Sequence, residues 1–140
     1  VLGDGAALSD RGTSRRRAAA LVLLSVAVGG FVLAYRGPCR ALVRGHLGDV
    51  AVVVCVYFAL AVATRLSSRV RLAVVAAIAV ATELFQSVSP ALSRSTLVDL
   101  TVGRTFDPWD LVAYALGLAI AYVADRRWVD PSERASAAGR

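Results

Sequence analysis

Glu83 is the one acidic residue in an apolar run spanning residues 72–88, and it lies several residues from either end. An ionisable side chain inside a membrane span is costly and marks a function by default. Gln86 follows three residues later and shares its helical face. A carboxyl held in apolar surroundings can act as a general acid or base, and as a fixed charge it needs a partner. Other reactive side chains stand near the ends of neighbouring apolar runs. Asp49 opens one run, Asp107 and Asp110 open the last, and Tyr114 lies one turn beyond Asp110. Arg94 and Arg104 occupy the polar stretch between residues 89 and 107. These eight residues make up one expected site of acids, amide, phenol and guanidinium. Its acids suit proton transfer, and its arginines suit phosphate or carboxylate groups.

Most of these residues also have a structural use. Asp107 is a helix N-cap, with Pro108 in the first turn and Asp110 at the third position. Asp49 and Asp110 near helix N-termini favour the macrodipole. Tyr114 suits a membrane interface. Glu83 is too far from a helix start for capping, and Arg94 or Arg104 is its expected partner.

The chain must bring these residues together with helices. Four apolar runs, at about 18–35, 49–66, 72–88 and 108–124, predict an all-α membrane protein with four transmembrane helices in a compact bundle. Residues 1–17 form a disordered basic segment, and 126–140 a cytoplasmic tail. Gly37-Pro38 and Ser89-Pro90 break the runs. Residues 95–102 read as a short interfacial helix between the third and fourth spans, capped by Ser95 and stopped by Gly103. Ala113, Gly117 and Ala121 form a small-residue face for helix packing. Trp109 and Trp128 are spaced by about 28 Å of helix, which suits an aromatic belt.

The composition agrees. The chain has 140 residues, 57% of them hydrophobic, and a mean hydropathy of +0.63. That excludes an ordinary soluble domain. The formal charge of +6 lies at the ends of apolar runs, so membrane topology accounts for it without nucleic acid. Every basic residue is arginine. Eleven of the 16 arginines fall on one side of the four-span arrangement, against Arg36, Arg40, Arg44, Arg94 and Arg104 on the other. This places both termini in the cytoplasm of a multi-pass cell-membrane protein, and the expected site at the outer leaflet. The two cysteines and single histidine lack metal-ligand spacing, so no metal or cofactor is expected, and His46 reads as an ordinary loop residue. Met is absent, so Val1 reads as a non-ATG start or a trimmed end.

Glu83-x-x-Gln86, Arg104-x-x-Asp107-x-x-Asp110 and Gly117 resemble the VanZ-like family of small bacterial membrane proteins. A closer resemblance is to domain-of-unknown-function family 2809, through Gly48-Asp49, Arg94-Ser95-Thr96 and Asp110-Leu111-Val112-Ala113-Tyr114 with Gly117. VanZ-like proteins commonly carry Asn where this chain has Tyr114, which favours the second family. The resemblance covers about residues 18–125 and implies a role in the cell envelope. The leading expectation is therefore a non-enzymatic protein of the lipid bilayer that binds an anionic envelope lipid or cell-wall-related group. The alternatives are a membrane enzyme using Glu83 with Asp110 or Asp107 as acid/base pair, and a structural subunit of a membrane complex.

Overall fold

The computed structural model describes residues 4–88 and 108–129, apart from the side chains of residues 4–11, 41, 86–88 and 108. Four long helices form a bundle: α1 (Asp4–Ala34), α3 (Gly48–Ala63), α4 (Ser68–Val88) and α5 (Pro108–Ala124). A single helical turn, α2 (Arg40–Leu42), and a π-helical turn (Val43–Leu47) lead into α3. A second π-helical turn (Asp125–Val129) continues α5. α1 begins within the polar segment 1–17 and runs on through the apolar residues. The expected interfacial helix at 95–102 lies outside the described residues.

The four-span expectation is corrected. Among the described residues, two helices are long and apolar enough to cross a membrane, Gly12–Ala34 and Val43–Ala63. The other two are interrupted by charge. In α4 the uncharged stretch between Arg71 and Glu83 rises only about 16 Å. In α5 the stretch between Asp110 and Asp125 rises only about 21 Å, short of a hydrocarbon core of about 30 Å.

α3 touches each of the other three helices. Cross-helix contacts fix an up-down-up-down order. Arg15, early in α1, donates to the Val62 carbonyl at the end of α3 at 3.1 and 2.7 Å. Arg17 donates to the Trp128 carbonyl after α5 at 2.8 Å. At the opposite end Arg44 donates to the Leu33 carbonyl of α1 at 2.9 Å. The last carbonyls of a helix lack intrahelical partners and carry the negative end of its dipole, so a guanidinium is well placed there. These arginines fasten helix ends as well as setting charge asymmetry.

The α3–α4 corner is closed locally. Thr64 turns extended, and its hydroxyl donates to the Leu60 carbonyl at 2.7 Å. Ser67 Oγ accepts from the Val70 amide at 3.4 Å, an N-cap for α4. The core of Ala18, Val53, Tyr57, Phe58, Val75, Ala121, Ala124 and Val129 sits towards this end. Tyr57 and Phe58 are fully buried and meet edge to face, with ring centroids 5.3 Å apart. Leu23, Leu24, Phe31 and Leu33 of α1 point outward and are exposed, as a lipid-facing surface requires.

In lipid, helices associate through close packing and polar contacts, because the tails are as apolar as the side chains. The face of Ala113, Gly117 and Ala121 serves that purpose against α3. A Cβ on Gly117 would meet the Val50 carbonyl oxygen and the Val53 side chain at 3.1 Å. Ala113 and Ala121 are buried. This close approach of α5 to α3 sets the geometry of the site.

Candidate functional site

The start of α3, the start of α5 and the end of α4 meet at one end of the bundle. His46 lies on the first π-helical turn, one helical step ahead of Asp49. Its Nδ1 stands 3.5 Å from Asp110 Oδ1. Nδ1 is shielded from solvent and has no hydrogen-bond partner among the described residues, so the contact is an electrostatic one. Asp49 and Asp110 lie within electrostatic reach of each other. Ligand atoms of His46, Asp49 and Asp110 all lie within 4.8 Å of one another. Two carboxylates that close repel unless a proton or a cation sits between them.

Glu83 is 2% exposed and lies within electrostatic reach of both Asp49 and Tyr114. Tyr114 also feels the charges of Asp49 and Asp110. The acids grade from half-open to closed: the His46 side chain is 36% exposed, Asp110 22% and Glu83 nearly buried.

Of the eight residues expected from sequence, the bundle gathers Asp49, Glu83, Asp110 and Tyr114. Gln86 is in α4, but its side chain is outside the described set, as are Arg94, Arg104 and Asp107. The partner expected for Glu83, Arg94 or Arg104, therefore falls outside the described residues. The small face of α5 packs against α3 at Gly117, and Asp110 comes beside Asp49 and His46. His46, which the sequence reads as a loop residue, stands on a helical turn. Its three-residue spacing from Asp49, the separation that puts two helical side chains on one face, was the signal that could have found it.

A second polar cluster lies at the other end, about 12 Å further along α3. Asp125 is fully buried and Arg71 nearly so. Asp125 Oδ2 accepts from Arg71 Nη2 at 2.6 Å and from the Tyr57 hydroxyl at 2.8 Å. Arg71 Nη1 also donates to the Leu66 carbonyl at 2.7 Å, and its guanidinium lies 5.6 Å from the Tyr57 ring centroid. Burial opposes the Arg71 charge, but the carboxylate bonded to it outweighs burial and holds the guanidinium above its ordinary pKa. This cluster fastens α3, α4 and the end of α5. Cys39 and Cys55 are free thiols, and Cys39 adopts a left-handed backbone ahead of α2.

Residues 39–118 match the model of a family described as "Protein of unknown function (DUF2809)". The match takes in His46, Asp49, Glu83, Asp110 and Tyr114, so the whole described site lies within it. Comparison with curated proteins and with solved structures gives no match.

Proposed function

We propose that this chain, which belongs to the DUF2809 family, is a membrane-embedded enzyme whose work is acid/base chemistry, with Glu83 and Asp110 as its proton-handling pair. The observation that carries this is the meeting of Asp110 with Asp49 and His46 at the start of two helices, beside the buried Glu83. Groups that accept and release protons are thus strung from the half-exposed His46 to the closed interior. Such a series moves a proton between water and a low-dielectric site, and an acid in apolar surroundings is suited to general catalysis. Tyr114 is a further donor beside them. The substrate class that fits is a membrane-soluble molecule whose reacting group enters the bundle end.

Binding of an anionic envelope lipid draws less support. The described part of the site is acidic and repels an anion. The guanidinium groups that would attract one, Arg94 and Arg104, lie outside the described residues. A distant kinship with VanZ-like bacterial proteins belongs to the proposal through the motif spacing alone. So does the orientation: both termini cytoplasmic, residues 18–125 forming the membrane domain and the site at the outer face. It is supported by Arg15, Arg16, Arg17, Arg65, Arg69, Arg71, Arg126 and Arg127, which all belong to the bundle end opposite the site.

The test is turnover. Purified protein in lipid vesicles is screened against membrane-soluble esters, phosphoesters and isomerisable lipids. Any conversion should be lost in both Glu83→Gln and Asp110→Asn and kept in Arg69→Ala. Conversion that survives both acidic substitutions would overturn the proposal.

A further inference from the structure

We infer that His46, Asp49 and Asp110 form a binding site for a first-row divalent transition-metal cation; this deepens the acid/base proposal and rests on it for the cation's use. Three observations carry the inference. The first is the donor set. One imidazole nitrogen and two carboxylates come from three different places in the chain: a π-helical turn, the start of α3 and the start of α5. A mixed nitrogen and oxygen set of this kind suits manganese, iron or zinc over magnesium or calcium, which prefer oxygen alone.

The second is the spacing. The donor atoms lie within 4.8 Å of one another. Metal bonds of about 2.1 Å place neighbouring ligand atoms about 3.0–3.4 Å apart. Rotamer adjustments of under about 1 Å in each side chain close that gap without moving a helix. The open side of such a three-ligand face leaves positions for water or substrate.

The third is the state of His46. Its Nδ1 is shielded from solvent, faces Asp110, and makes no hydrogen bond among the described residues. A π-helical turn sets it there, and π turns inside helices recur at functional sites. A cation between these groups would satisfy the nitrogen and neutralise two adjacent carboxylates at once. With the cation bound, Asp110 would be a ligand and its place in the proton-handling pair would pass to a cation-bound water beside Glu83, so the Glu83–Asp110 pair belongs to the metal-free form. The bound cation would supply Lewis acidity or an activated water.

Manganese is the probe, because its paramagnetic resonance distinguishes bound from free ion. Full-length protein in detergent, stripped with chelator, is titrated with Mn²⁺. The expected result is one bound ion per chain, displaced by Zn²⁺ and not by equimolar Mg²⁺. His46→Gln, Asp49→Asn and Asp110→Asn should each weaken binding by at least about tenfold, since even a supporting partner of a metal ligand costs that much. Thermal unfolding without metal checks that each variant is folded, and any one folded variant suffices. Arg69→Ala, at the opposite end of the bundle, should bind Mn²⁺ as the parent does. Absence of stoichiometric binding, or equal binding in a folded ligand variant, would overturn the metal site. Neither result touches the proton chemistry of Glu83, which turnover and infrared measurements test without metal.

Discussion

Arg71 Nη2 meets Asp125 Oδ2 at 2.6 Å, and both side chains are withdrawn from solvent. The pair joins the first turn of α4 to the turn that ends α5. Removing one member of a buried ion pair strands the other and costs about 3–5 kcal/mol. Asp125→Ala should therefore lower the unfolding temperature in detergent sharply. Adding Arg71→Met should recover part of the loss. Equal stability of parent and Asp125→Ala would show that the pair does not hold the bundle.

Tyr57→Phe removes one hydrogen bond to the same carboxylate and leaves the ring in place. A hydrogen bond to a charged group contributes about 1.5–3 kcal/mol. Denaturation in detergent should show a loss in that range, smaller than that of Asp125→Ala. A larger loss would mean that the ring's packing against Phe58 had also changed.

Gly117 holds α5 close to α3 at Val50 and Val53. Leucine there forces the helices apart, and overpacking of this kind costs about 1–3 kcal/mol. It should also draw Asp110 away from Asp49 and His46. Gly117→Leu is therefore expected to unfold at lower temperature and to bind Mn²⁺ more weakly than the parent. Undiminished Mn²⁺ binding would separate the site from this helix contact.

Much of this arrangement was legible in the sequence. The apolar runs marked the helices, Pro108 marked the start of α5, and the small-residue face marked a close helix contact. Glu83 stood out because its surroundings are apolar. The number of spans was not legible, because apolar runs in α4 and α5 look like spans until the depth of Arg71, Glu83, Asp110 and Asp125 is known. Asp125 follows an apolar run and precedes two arginines, which is also how a membrane boundary reads. Its burial depends on Tyr57 and Arg71, which come from distant parts of the chain and share no spacing with it. The small face carried no sign of which neighbour it would meet, and Gly117 sets it against Val50 and Val53 of α3.

The proposed orientation predicts reporter activity. Alkaline phosphatase inserted in residues 36–39, between the two apolar helices, should be active, and the same enzyme fused after Arg140 should be inactive. The reverse pattern would put the site on the cytoplasmic side.

The central claim is that Glu83 and Asp110 exchange protons as a coupled pair. The most direct measurement is pH-difference infrared spectroscopy of the protein in lipid, with chelator present. Protonated carboxyl groups give a carbonyl stretch apart from the amide bands. The expected spectrum shows such bands appearing as pH falls. Glu83→Gln should remove one component and shift the rest, and Asp110→Asn should do the same in turn. A spectrum without titrating carboxyl bands, or one unchanged by Glu83→Gln, would contradict the account.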